Sequence, residues 1–250
     1  QSLAASFKTE LSEEHRWDLK TAAEICQDAM KRFPSSYGAR ACRALYNTIN
    51  SRELSISGED LVIPNTPVKV LVSYKNIPRL EIRIYRIPYK DIQDRYTSEI
   101  WDWQNDKKTK LYSQLRKKAV WKQSFDLLDE GDYRTHRYEL ALAKLPAGHY
   151  IMIAADGDLD RIEGKVLGFS LFSCTSISNI TPHSENNTIH LANRDSGWPI
   201  SGAQVRVYGD DNNNRQSVLA WSGSSDVDGM VRVEGDRGLW NKKMEISTGA

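Results

Sequence analysis

The stretch "DGDLD" sets Asp156, Asp158 and Asp160 at alternate positions, the spacing of the first three calcium ligands in a helix-loop-helix hand. Such a loop needs a glycine at its sixth position for the sharp turn and a bidentate glutamate at its twelfth. Here the sixth is Arg161 and the twelfth Leu167, so the segment reads as a surface loop between strands. "DVDG" at 226–229 and "DDNNN" at 210–214 use residues that tight turns also select. The five histidines, His15, His136, His149, His183 and His190, form no HxH or HExxH pair that would seat two imidazoles on one metal. There is no GxSxG nucleophile elbow, no glycine-rich phosphate loop and no cysteine beside a plausible base. The sequence therefore predicts no catalytic residue, no metal ligand and no cofactor: a chain that is not an enzyme.

Three cysteines, Cys26, Cys42 and Cys174, match neither a zinc spacing nor a dense disulfide framework. Cys26 and Cys42 flank Pro34 at similar distances and could face each other in a helical hairpin, either as a disulfide or as two small buried apolar residues. The sequons at Asn179 and Asn186 are short enough to arise by chance and matter only in a eukaryotic secretory setting. The seven tryptophans, Trp17, Trp101, Trp103, Trp121, Trp198, Trp221 and Trp240, form no recurring pattern, and core or interface packing accounts for most of them.

The elements that must carry these residues follow from periodicity. "SEEHRWDLKTAAEICQDAMKRF" opens with Ser12 as a cap and acids at 13 and 14, and Ala22, Ile25, Ala29 and Phe33 recur at helical spacing. "FPSS" breaks that helix, and Cys42, Leu45, Tyr46 and Ile49 mark a second, so the two are expected to pack as an antiparallel hairpin that leans on a neighbour. From residue 54 the period becomes 2: Leu54 and Ile56; Val68, Val70 and Val72; Leu80, Ile82 and Ile84; Tyr138, Leu140 and Leu142; Tyr150, Met152 and Ala154; then "VLGFSLFS". These predict half-buried antiparallel strands of a β-sandwich. Residues 91–118 interrupt the rhythm with helical spacing at Ile92, Tyr96, Ile100, Trp103, Leu111 and Leu115, predicting a helical insertion whose Lys107–Lys118 cluster is a solvated face. A second β unit begins at "TIHLANRD", where "DSGWPISG" supplies a turn and a kink that deliver Val205 and Val207 on one face of the next strand, and "SSDVDG" a second turn into "MVRV".

The chain has 250 residues, 40% hydrophobic and 27% charged, within the ordinary globular range and long enough for two domains. Its 34 basic and 33 acidic residues are interspersed, which gives no electrostatic footprint for nucleic acid or an anionic membrane. No apolar run approaches the ~20 residues of a membrane helix. The start at Gln1 and the strand-like pattern just begun at "MEISTGA" read as a segment of a longer chain.

In order, "KRFPSSYGARACRAL", "LSISGEDLVIPNTPVKVLVSYKNIPRLEIRIYRI", "DEGDYRTHRYELALAKLPAGHYIMIAADG" and "NTIHLANRDSGWPISGAQVRVYG" resemble the N-terminal part of bacterial alpha-2-macroglobulin-like proteins, especially the long versions from Bacteroidetes. The resemblance covers most of the chain. It implies a macroglobulin-like sandwich in which "LPAGHYIM" is a late hairpin, with "DSGWPISGAQVRVY" and "DVDGMVRV" opening the next such domain. It further implies an exported parent, periplasmic or lipid-anchored, that inhibits proteases by being cleaved at a bait segment and enclosing the attacker. Family members that capture their targets covalently carry a "CGEQ"-type thioester; none of Cys26 in "EICQDA", Cys42 in "RACRAL" or Cys174 in "FSCTSI" matches it, so this segment cannot perform that capture.

The combined expectation is a mainly β chain of immunoglobulin-like, macroglobulin-type antiparallel sandwiches: a helical hairpin at 1–53, a macroglobulin-like β-sandwich with a helical insertion at 54–173, and most of a second macroglobulin-like β-sandwich at 174–250. Its role would be that of scaffold in a large protease trap, with proteases as the parent's targets and further macroglobulin domains as neighbours in the same chain. The rival reading is a tandem immunoglobulin-like module of a surface adhesin or glycan-binding protein, in which Trp101, Trp103 or Trp198 would stack on sugar. A third, an accessory domain of a peptidase or other enzyme, rests on fold analogy alone.

Overall fold

A computed structural model describes residues 15–88, 116–161, 164–180, 187–210, 217–234 and 243–248. The chain divides into two compact units. The first holds Gln1–Asp60, Pro67–Lys144 and Gly148–Ser173; the second holds Leu61–Thr66, Leu145–Ala147 and Cys174–Ala250.

The first unit opens with the helices α1 (Asp18–Arg32) and α2 (Tyr37–Asn50). The cap position of α1 is Trp17, with no side-chain cap hydrogen bond, and Asp18 supplies the acid of the first turn. The expected cap at Ser12 lies outside the described residues. Ser36 starts α2 in the expected manner: its extended backbone leaves Oγ to accept the Ala39 N–H at 3.0 Å. The buried face of α1 differs from the expected stripe, while that of α2 keeps Ile49, with Cys42 and Tyr46 half-buried. Ala23 and Cys26 on α1 and Ala39 and Ile49 on α2 are buried, whereas Ile25, Phe33 and Leu45 are exposed. On α1 the face is turned by one residue, about 100°. Small side chains occupy it, which lets two helix backbones approach where Ile25 and Phe33 would hold them apart.

The strands of this unit form two antiparallel sheets. One has the order β1-β3-β6, from Glu53–Gly58, Pro67–Lys75 and His136–Lys144. In the other, β8 (Leu167–Cys174), β7 (Gly148–Asp156), β4 (Arg79–Ile87) and β5 (Ala119–Asp126) follow one another. β3 shows the expected alternation, with Val68, Val70 and Val72 buried between exposed Pro67, Lys69 and Leu71. β7 does not: Tyr150 through Asp156 are all buried, so this central strand is covered on both faces. β5, which the pattern reading missed, is an edge strand of mostly exposed residues held by backbone pairing from Arg79↔Asp126 to Tyr85↔Ala119. Of the predicted insertion at 91–118, only 116–118 belong to the described residues, and they form a 3₁₀ turn.

"LPAG" is not the turn of a hairpin. β6 pairs with β3 and β7 with β4, so the chain crosses from one sheet to the other there, as it also does at "KNIP" between β3 and β4. Crossing connections of this kind close a sandwich, because each sheet then takes its neighbours from distant parts of the sequence.

The second unit contains the two-residue strand β2 (Leu61–Val62) and two three-stranded antiparallel sheets. Their orders are β13-β10-β9 (Met230–Arg232, Thr188–Asn193, Ile177–Ile180) and β12-β11-β14 (Ser217–Ser224, Gln204–Asp210, Lys243–Ser247). Its core gathers Ile189, Leu191, Ala203, Val205, Val207, Val231 and Val233, with Trp221, Met244 and Ile246 packed against it. Among the described residues no helix is long and apolar enough to cross a membrane.

Candidate functional site

Within the first unit, the polar chemistry concentrates where the helical hairpin meets the sandwich. The last turn of any α-helix leaves carbonyls without partners. In α2 these are met by the last residue of β3, Lys75, and the residue that follows it, Asn76. Lys75 Nζ donates to Thr48 O at 2.8 Å and to Glu53 Oε1 at 3.2 Å, and Asn76 Nδ2 donates to Ile49 O at 2.9 Å and Ser51 O at 3.0 Å. Asn76 sits at φ 54°, a conformation that Asn tolerates better than most residues. Lys75 is 8% exposed; its charge faces the negative end of the helix and one carboxylate.

The other end of the joint is built from "EGDYRTH". Arg16, just before α1, donates to Glu130 and lies 3.9 Å from Asp132. Asp132 is buried and accepts the Arg134 N–H at 3.0 Å, and its Oδ1 lies 2.9 Å from His136 Nε2. Burial alone would push this carboxyl up, but the Arg134 amide, His136 and Arg16 outweigh it and hold Asp132 below the usual carboxylate range. Tyr74 packs against His136 with ring centroids 5.7 Å apart and donates to Leu128 O at 3.0 Å. The ligand atoms of Glu130, Asp132 and His136 lie within 4.8 Å of one another. That is a donor set a cation could use, and the cation it faces in this structure is the guanidinium of Arg16. Arg134 completes the joint by donating to His15 O.

The aspartates of "DGDLD" do not converge. Asp156, buried on β7, is paired with Arg52 and accepts the Val166 N–H at 2.9 Å. Asp160 accepts from Arg83 Nη1 at 2.9 Å, and Asp158 lies 3.8 Å from the same guanidinium. The hydrogen bond from Arg83 is the main reason the Asp160 carboxyl is lowered. Arg83 itself is 4% exposed, and its Nε donates to Glu81 Oε1 at 2.5 Å. A calcium loop aims its carboxylates inward at one ion. Here they diverge toward two arginines from other elements.

In the second unit, "NRDSGWPISGA" carries the chain from β10 to β11, which belong to different sheets. Asn193 Oδ1 accepts the N–H groups of Asp195 at 2.9 Å and Ser196 at 3.1 Å, and Asn193 O accepts from Gly197, which sits at φ 73°. Ser225 then braces the entry to β11, donating to Ile200 O at 2.6 Å and accepting from Ala203 N at 3.0 Å. The "DVDG" turn is closed by Asp226 Oδ1, which accepts from Asp228 N at 3.0 Å and Met230 N at 2.8 Å. These Asp, Asn, Ser and Gly residues fix backbone.

Among the remaining histidines, His15 pairs with Asp18 at 3.1 Å on the surface, His149 Nδ1 lies 2.7 Å from Ser173 Oγ, and His190 is on β10; His183 lies outside the described residues. Burial, reinforced by Arg86, pushes the His149 imidazole below its ordinary value. Trp198 is 73% exposed at the β10 to β11 turn and Trp221 packs on the core, while Trp101, Trp103 and Trp240 lie outside the described residues. Cys26, buried, and Cys42, half-buried, are free thiols, and burial together with the neighbouring Cys42 pushes the Cys26 thiol up; Cys174 is a buried free thiol on β8.

The sequence reading did not single out Arg16, Arg52, Lys75, Asn76, Arg83, Glu130 or Asp132. The readable signal was local: "KN" before "IP" and "EGD" before β6 are turn chemistry, and only the fold brings their partners to them.

No protein-family model matches the chain, and no curated protein does. Solved structures do. Native alpha-2-macroglobulin from Escherichia coli spanning domains NIE-MG1 is 20% identical over 74% of this chain and 89% of that one, at a TM-score of 0.47. A longer piece of the same protein, spanning MG0-NIE-MG1, is 19% identical over 74% of this chain and 59% of that one, at 0.46. Salmonella alpha-2-macroglobulin reacted with methylamine is 11% identical over 78% of this chain and 15% of that one, at 0.33.

Proposed function

We propose that this chain is a non-catalytic scaffold segment of an alpha-2-macroglobulin-like protease trap, its parent exported to the bacterial cell envelope. The observation that carries the reading is what the family-like motifs do. In "VSYKNI", Lys75 and Asn76 lock the helical hairpin to the sandwich and Tyr74 braces the segment at Leu128; "LPAG" moves the chain between sheets; "DSGWPISG" and "DVDG" set the strands of the second unit. Each motif fixes geometry, which is the work of a frame that holds bait and trapping parts in place. The carboxylates of the clusters described above each lie against an arginine of the same chain or, for Glu53, against Lys75, so their chemistry is engaged in holding elements together.

The parent's partners are then target proteases and the neighbouring macroglobulin domains of its own chain. The test is to incubate the full-length parent with an endoprotease and separate the products by size. Protease that co-elutes with a cleaved parent in which residues 15–248 remain intact supports the reading. Protease that elutes free, or cleavage within the sheets of this segment, opposes it.

A further inference from the structure

We propose that the free end of the helical hairpin is a docking surface for an anionic lipid bilayer. Both fastenings of the hairpin lie at its other end. Lys75 and Asn76 hold the last turn of α2, and Arg16, just before α1, meets Glu130. α2 is 14 residues long, about 21 Å, so the turn that joins the helices stands roughly that far from the joint. There every residue from Lys31 to Gly38 is exposed, including Phe33 at 63% and Tyr37 at 80%. Two aromatic rings left bare at one projecting turn form a contact surface, unlike the scattered apolar exposure normal for a protein.

Charge decides what covers that surface. The chain as a whole is nearly neutral, at +1, but no acid occurs between Ala29 and Arg52. Lys31, Arg32, Arg40 and Arg43 are all exposed on the two helix ends that flank the turn. Arg32 Nε donates to Asp28 at 2.9 Å, the last acid before the turn. Lys31, Arg40 and Arg43 have no carboxylate partner among the described residues, whereas Arg16, Arg52 and Arg83 each lie against one. Arg40 instead sits over the Tyr37 ring, 5.9 Å from its centroid. It does so at the start of α2, where the helix dipole favours a carboxylate and the first turn holds no acid.

Cations beside bare rings fit a partner that is anionic at its surface and apolar just beneath. A bilayer with acidic headgroups is both. The long Lys and Arg side chains keep their charges among the headgroups while Phe33 and Tyr37 enter the boundary with the acyl chains. A nucleic acid or an acidic peptide would take the cations but offers Phe33 no hydrocarbon to enter. The contact is peripheral, since among the described residues no helix is long and apolar enough to cross.

The test is cosedimentation of the full chain with vesicles of phosphatidylcholine alone and of phosphatidylcholine mixed with phosphatidylglycerol. The mixed vesicles should carry the chain down and the neutral ones leave it in solution, and binding should fall as salt is raised. Arg40→Glu with Arg43→Glu should weaken binding by more than about tenfold, because each cation near such a surface contributes about fivefold. Phe33→Ser with Tyr37→Ser should weaken it at unchanged charge. The matched reversal Arg137→Glu with Lys144→Glu, both exposed on β6, should retain it. Equal binding to neutral vesicles, binding to neither, full retention in either hairpin variant, or an equal loss in the β6 variant would overturn the proposal. So would tighter binding to a DNA oligonucleotide than to the mixed vesicles. Helical circular dichroism shows whether each variant keeps its hairpin, and the lipid and salt dependence of the unmutated chain decides independently of them.

Discussion

At the residue scale, buried charge in this protein is spent on joints. Asp132 shows the balance: it is removed from water, yet two hydrogen bonds, from the Arg134 N–H and His136, and the nearby charge of Arg16 hold its carboxyl below the usual range. Its folded value is depressed, so it contributes stability above the unfolded carboxylate value of about 3.9 and loses it as pH falls through the folded value. Asp132→Ala should cost about 1–3 kcal/mol at neutral pH. That cost should shrink on acidification below pH ~4, which urea melts across a pH series would show. Arg83 makes a second case. Replacing it with Met leaves the half-buried Glu81 without its cation; removing one member of a fully buried pair costs about 3–5 kcal/mol, and this change should approach the lower end of that range. Arg83→Met with Glu81→Gln should recover part of that loss; equal or additive losses in chemical denaturation would refute the coupling. Neither cluster was legible in the sequence, because Arg, Asp and Glu are common surface residues. Arg16 and Glu130 lie 114 positions apart, and only the fold shows that they meet.

At the element scale, the legible strands are those with one wet face. β3 announced itself because Val68, Val70 and Val72 alternate with exposed neighbours, and β11 because Ala203, Val205 and Val207 do. β5 stayed hidden because it is exposed along most of its length and exists through its pairing with β4. Both helices were found; on α2 Ile49 is buried as expected, but on α1 the buried face was misplaced by a residue, since close approach of α1 and α2 favoured Ala and Cys over Ile and Phe. Sheet membership was not readable at "LPAG", where turn chemistry is the same for a hairpin and for a crossing. Turn glycines give a graded test. Gly229 sits at φ 72°, and a Cβ there would lie 2.3 Å from Leu191 O; Gly197 has φ 73° with open space around it. Gly197→Ala should cost only the left-handed penalty of about 1–2 kcal/mol. Gly229→Ala should cost clearly more, because the backbone of β10 must also move. Thermal melts of the two variants side by side check the order.

At the scale of the whole molecule, two antiparallel β units and a fastened helical hairpin make a chain built to hold position. The central claim is that it serves as frame in a trap that encloses a protease without destroying its active site. The direct measurement uses the full-length parent: after incubation with an endoprotease, cleavage of a large protein substrate and of a small chromogenic peptide are followed together. The account predicts that the large activity is lost while the small one persists. Equal retention of both, or equal loss of both, would contradict it.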